Sequence, residues 1–173
     1  MDWFKILTEG VGLLGIIACL LAFQMKKRNA IMFMQLLGVA LFGLQLALLK
    51  AWTGAILDAI SFVRTFIFSK RADKEWAQHP FWLVFFIIVQ LATGILTWES
   101  FISIFAILGT LLATFALWMK KPKYIRLICL FVGPCWIVYN SVIGAYTGVL
   151  NEVIAMTSIV IGIIRYDIKK KKD

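Results

Sequence analysis

The chain has 173 residues, 62% of them hydrophobic and 16% charged, with a formal net charge of +9. Soluble domains run at about 45–50% apolar and about 25% charged, so this composition excludes an ordinary water-soluble monomer. The basic excess does not point to nucleic acid, because the Lys and Arg residues fall between long apolar blocks, as topology signals do.

A helix crosses a bilayer with about 20 apolar residues, and 30–49 reaches that length without a charge. The apolar runs are continuous rather than alternating, which favours helices over barrel strands. The chain therefore reads as all-α, a polytopic membrane protein with seven transmembrane helices. The first is expected at about 9–25. It is read as a retained helix, since "MDWFKILTEG" lacks a basic n-region and "KKR" follows the apolar block instead. After "KKRN" comes 30–49, then the short "KAW" turn and 52–69. The polar "KRADKEWAQHP" leads to 80–97, "WES" to 101–119, "KKPK" to 124–143, and "GAYTG" to 147–165. Pro80 and Pro122 stand where helices begin or loops turn. The last break carries no charge, yet one helix from Tyr124 to Arg165 would run about 63 Å, twice the membrane, so it must turn.

Orientation follows from the cations. The first, third and fifth loops and the C-terminal tail collect fifteen of the 18 Lys and Arg residues. Lys5 and Lys50 lie on the other side, and Arg64 lies inside the third helix. The N-terminus is therefore expected outside and the C-terminus in the cytoplasm. The tail "KKKKD" is suited to anionic lipid, at about 1 kcal/mol per cation near the surface. Trp76, Trp82 and Trp98 suit the interfacial aromatic belt.

Sliding the chain by 94 residues gives a sustained match. "MKK" at 25–27 meets "MKK" at 119–121, Thr53-Gly54 meets Thr147-Gly148, Asp58 meets Glu152, and Arg71 and Asp73 meet Arg165 and Asp167. We read a single transmembrane domain with repeats at 10–73 and 104–167, joined by a linker helix at 80–97. An odd linker keeps the two units parallel, related by an axis along the membrane normal, with sites at their interface.

The expensive residues are the candidates for chemistry. Asp58 and Glu152 each follow a repeat-matched Thr by five residues, about 7–8 Å along the helix. A carboxylate at helix centre costs about 2.5–3.5 kcal/mol on insertion scales. Two roles are open: the acids line a water-filled entrance on the pseudo-twofold axis, binding a cation, a proton or a sugar hydroxyl, or they favour the positive start of their helices. Asn151 stands beside Glu152. Arg64 lies about 240° round the helix from Asp58 and needs another partner, with Glu152, Gln90 or a carbonyl freed by Pro134 as choices. It serves either an anionic substrate or a structural role. Trp136 and Asn140 share a helical face, and Pro134 frees the carbonyl of Leu130. They form a bent pocket wall, or else Asn140 is glue between helices; Tyr139 and its repeat mate Gln45 are secondary members. The substrate-binding candidates are thus Asp58, Arg64, Trp136, Asn140, Asn151 and Glu152. Cys19, Cys129 and Cys135 show no metal or redox spacing, and His79 reads as loop surface. No cofactor, metal or catalytic site is expected, and no enzyme.

The three-plus-one-plus-three plan resembles the SWEET sugar transporters and the wider PQ-loop group. In sequence the chain resembles the YgjV family of bacterial inner-membrane proteins, on "WIVYNSVIGAYTGVLNEVI" (Trp136 to Ile154) and "VIGIIRY" (Val160 to Tyr166). The second resemblance implies an inner-membrane location. The first implies transport of a small polar solute by alternating access, with a non-transporting receptor or accessory protein as the alternative. The chain departs from the SWEET pattern: it has no Pro-Gln dipeptide, and only Pro134 lies deep in a helix. A four-proline hinge is not implied.

Overall fold

The computed structural model describes residues 3–24, 28–119 and 121–164. The cations at Lys26, Lys27, Lys120, Arg165 and Lys169 to Lys172, the first "MKK" and Asp167 lie outside the described residues. Seven α-helices run in order: α1 Trp3–Gln24, α2 Arg28–Leu48, α3 Trp52–Ser69, α4 Phe81–Leu96, α5 Ser103–Trp118, α6 Pro122–Ile143 and α7 Tyr146–Gly162. Two 3-10 turns, Lys70–Ala72 and Glu75–Gln78, connect α3 to α4. No strand occurs among the described residues.

The expected elements are present, with bounds within about two residues at most ends. One exception is α1, which starts at Trp3 rather than near 9. Nothing in "WFKILTE" breaks a helix, and apolar content alone does not mark where one begins. Trp3–Leu21 and Lys123–Ile143 are long and apolar enough to cross a bilayer, whereas Phe81–Leu96 and Ser103–Trp118 are apolar but shorter. Sixteen helical residues rise about 24 Å, less than the roughly 30 Å hydrocarbon layer.

The two tight turns share one design. Helix α2 ends at Lys50 (φ 59°) and α6 at Gly144 (φ 79°), both left-handed. In each turn an N–H reaches back five residues: Ala51 N to Leu46 O and Ala145 N to Asn140 O, both 2.9 Å. Such a bond around a left-handed residue is the Schellman way of closing a helix. Ala51 (φ −83°, ψ 70°) and Ala145 (φ −84°, ψ 71°) then start the next helix in nearly identical conformations. Each of these equivalences is a shift of 94 residues.

Helix α2 packs between α1 and α3, and α6 between α5 and α7. Helix α3 packs on α5 and α7 on α1, which closes six helices into a ring; α4 lies outside it against α3 and α5. The exposed surface is strongly apolar, and polar side chains share the interior with an apolar core around Leu46, Leu57 and Ile107. Leu13, Phe33, Val63, Ile88, Phe131 and Ile161 are exposed, while Thr8, Gln45, Thr53, Arg64, Gln90, Thr110, Thr114 and Asn140 are buried. An apolar surface over buried polar groups is the arrangement a lipid solvent selects.

A left-handed conformation costs an L-residue about 1–2 kcal/mol. Lys50→Gly is therefore expected to raise the apparent melting temperature in detergent, and Gly144→Ala to lower it. Equal melting of the wild type and both variants would contradict the paired turns.

Candidate substrate cavity

A cavity of about 170 Å³ lies inside the ring. Helix α2 supplies Phe42, Gln45 and Leu46, α3 supplies Asp58, α6 supplies Trp136 and Asn140, and α7 supplies Asn151 and Glu152. Five of the six candidate residues therefore meet in one space. Three pairs related by 94 residues line it: Phe42 with Trp136, Leu46 with Asn140, and Asp58 with Glu152. Asn151 bonds weakly to its neighbour, Nδ2 donating to Glu152 Oε1 at 3.5 Å.

Two hydrogen bonds cross between the helices toward the α2–α3 and α6–α7 turns, beside the cavity. Gln45 Nε2 of α2 donates to Thr147 Oγ1 of α7 at 2.7 Å. Gly54 N of α3 donates to the Tyr139 hydroxyl of α6 at 3.0 Å. Gln45 and Tyr139 are themselves 94 apart, and both are fully buried. Glycine is required where these helices touch. A Cβ at Gly54 would come within 2.6 Å of Tyr139 Cε1, and one at Gly148 within 2.7 Å of Asn140 Nδ2.

Asp58 and Glu152 do not cap their helices. Neither α3 nor α7 has an acid in its first turn or a cap from its own N-cap side chain. Distant carboxylates do that work. Glu99 Oε1 accepts from Trp52 N at 2.8 Å. Glu9 accepts from Tyr146 N at 3.1 Å and Thr147 N at 2.9 Å. A carboxylate on the free N–H groups at a helix start is stabilised by both the bonds and the dipole. Sequence reasoning missed Glu9 and Glu99. Their partners lie 137 and 47 residues away, and the one local cue was an acid left over near each end of an apolar block.

Arg64 stands apart from the cavity. It is 4% exposed, and its NH1 donates to Thr110 O at 3.2 Å and Thr114 Oγ1 at 2.6 Å, both on α5. The Thr114 hydroxyl also lies 2.8 Å from Gln90 Oε1 of α4. Of the partners expected for Arg64, Gln90 is reached through Thr114, while Glu152 and the carbonyl near Pro134 are not used. Arg64 Nε, Gln90 Nε2 and Thr110 Oγ1 stay buried and unpartnered among the described residues. The same seam is fastened at its ends. Thr53 Oγ1 donates to Thr97 O and lies 3.4 Å from Ser103 Oγ. Arg71 donates to Trp118 O at 3.0 Å with its guanidinium 3.5 Å from the Trp118 ring centre.

Of the other residues considered, Trp76 and Trp98 are exposed, and Trp82 Nε1 donates to Trp76 O at 2.9 Å. His79 Nδ1 accepts from Phe81 N at 3.2 Å. No group of three metal-ligating side chains occurs among the described residues.

Residues 6–170 match the model of the YgjV family, described as bacterial inner membrane protein. The inner membrane protein YgjV of Escherichia coli (strain K12) is 25% identical over 151 residues, covering 84% of this chain and 76% of that protein. No solved structure matches the chain. The chain belongs to the YgjV family of bacterial inner-membrane proteins.

Thr114→Val removes the hydroxyl that Arg64 uses. Hydrogen bonds to charged groups are worth about 1.5–3 kcal/mol, so this variant is expected to lose about that much stability on denaturation in mixed micelles. In an Arg64→Met background the same change is expected to cost under about 1 kcal/mol. Equal costs in both backgrounds would show that the contact does not stabilise the seam.

Proposed function

We propose that this member of the YgjV family moves a small polar solute across the bacterial inner membrane by alternating access between two three-helix units. The observation that carries this reading is the cavity itself. It lies between α2-α3 and α6-α7, and three pairs related by 94 residues face it. A duplication of 10–73 as 104–167, with α4 as linker, accounts for that placement, since sites of parallel-repeat transporters lie at the repeat interface. The N-terminus lies outside and the C-terminus in the cytoplasm on this reading. The side of the cavity toward the Gln45–Thr147 and Tyr139–Gly54 bonds then faces outside.

The mechanism follows from which seam holds. Contacts at Thr53, Arg64 and Arg71 tie α3 to α5 along its length, and α4 braces both. Helix α7 meets α1 without such a brace, tied at the outer end by Glu9. The units pivot on α3 and α5, and the α7–α1 side parts. Breaking the Gln45 and Tyr139 bonds opens the outer end, and their re-formation closes it over the solute. Asp58, Glu152, Asn140, Asn151 and Trp136 hold the solute; Arg64 stiffens the pivot rather than touching it. A non-transporting receptor is the weaker reading, because both acids line a single cavity rather than facing apart.

Purified protein in proteoliposomes is expected to give saturable uptake of one solute from a panel of sugars, amino acids, organic acids and amines. Asp58→Asn and Glu152→Gln are each expected to lower it about tenfold or more, matching the loss of one charged hydrogen bond. No uptake of any panel member would reject the transport reading.

A further inference from the structure

On the reading that this cavity is the solute's chamber, its charge and size narrow what enters it. We propose that the cavity binds one small monovalent organic cation, an ammonium ion of about seven non-hydrogen atoms or fewer.

Charge is the first argument. Asp58 and Glu152 both line the cavity, and no Lys, Arg or His lines it among the described residues. Arg64, deeper on α3, directs its NH1 to α5. A lining with two carboxyl groups and no basic side chain among the described residues favours a positive ion over a neutral or negative one. A second argument is the unused amide. Asn140 is 6% exposed, lines the cavity, and its side chain has no hydrogen-bond partner among the described residues. Its amide faces the open space of the cavity, where a ligand hydroxyl or N–H supplies a hydrogen bond.

The walls separate organic from inorganic cations. Val39, Phe42 and Leu46 make one side apolar, and Trp136 adds an aromatic surface. Calcium and magnesium demand an all-oxygen shell, whereas the two carboxylates and the amides of Gln45, Asn140 and Asn151 share this cavity with an apolar and aromatic wall that such an ion leaves unused. Methyl and methylene groups on a positive nitrogen fit those walls, and aromatic rings attract such cations. Size sets the upper limit. A cavity of about 150 Å³ holds benzene, with six carbons, and this one is about 170 Å³.

The test is equilibrium binding to the full-length protein in detergent, by titration calorimetry. Choline is the probe, and its neutral carbon isostere 3,3-dimethylbutan-1-ol the control. Choline is expected to bind at least about tenfold more tightly than the isostere. Asp58→Asn and Glu152→Gln are each expected to weaken choline about tenfold or more, while Glu152→Asp, which keeps the charge, binds within about threefold of wild type. Tetrabutylammonium, too large for the cavity, is expected not to compete. Equal binding of choline and the isostere, or unchanged choline binding in folded Asp58→Asn and Glu152→Gln proteins, would overturn the proposal. Choline binding without uptake in proteoliposomes supports the cation site and rejects transport. Uptake of a neutral solute that choline does not inhibit overturns the cation site and leaves transport standing.

Discussion

Hydrocarbon offers a polar side chain no hydrogen-bond partner, and every other feature of this fold answers to that constraint. Between helices in lipid there is no water to expel, so association rests on packing and on polar contacts. The bundle accordingly buries Gln45, Thr53, Arg64, Thr110, Thr114 and Asn140 beside an apolar core of Leu46, Leu57 and Ile107, and leaves Leu13, Phe33, Phe131 and Ile161 on its surface. Arg64 is the extreme case. Its guanidinium meets a carbonyl and a hydroxyl on α5, and Thr114 passes the contact on to Gln90 of α4. One buried charge thereby joins three helices.

That junction breaks the symmetry of the ring. The residue 94 positions after Arg64 is Ser158, on α7, so no matching cation ties α7 to α1. Helix α4 has no counterpart on that side either. In the proposed cycle the α3–α5 side is the pivot because it is braced from outside and bonded through its depth. In that cycle the α7–α1 side moves because the Glu9 bonds that tie it, and the Gln45–Thr147 bond that ties α7 to α2, gather at one end. A pivot and a moving seam need not come from different folds. One arginine and one extra helix suffice to distinguish two otherwise similar interfaces.

Much of the architecture was legible because membrane helices are long and the breaks between them are few. "KAW" and "GAYTG" were read as turns, and both close on left-handed residues, at Lys50 and Gly144. Asp58, Trp136, Asn140, Asn151 and Glu152 were legible because polar residues inside apolar helices are costly and must face something. Asp58 and Glu152 do face a shared space. What the sequence could not show is which residue pairs with which across the ring. Glu9 drew no reading from the sequence, yet it caps a helix 137 residues away. Arg64 looked like a candidate for substrate because its partners, a backbone carbonyl and a threonine, leave no charge signature in a sequence. The choice between capping and cavity for Asp58 and Glu152 needed the caps to be found first.

The cavity keeps its acids in matched positions while its other walls have diverged. Where α2 and α3 carry Phe42, Leu46 and Leu57, the positions 94 residues on in α6 and α7 carry Trp136, Asn140 and Asn151. Leu57 is fully buried and does not line the cavity, whereas Asn151 does. A symmetric site would offer a solute two equivalent poses. Here each half supplies a carboxylate and an amide-bearing wall, Gln45 from α2 and Asn140 and Asn151 from α6 and α7, but the indole belongs to the α6-α7 half alone. In the proposed site, a molecule with one charged and one hydrogen-bonding end places its polar group toward Asn140 and its alkyl surface toward Val39, Phe42 and Leu46. In the proposed carrier, divergence of the walls around the matched charge positions gives an unsymmetrical solute a direction that two identical halves would not.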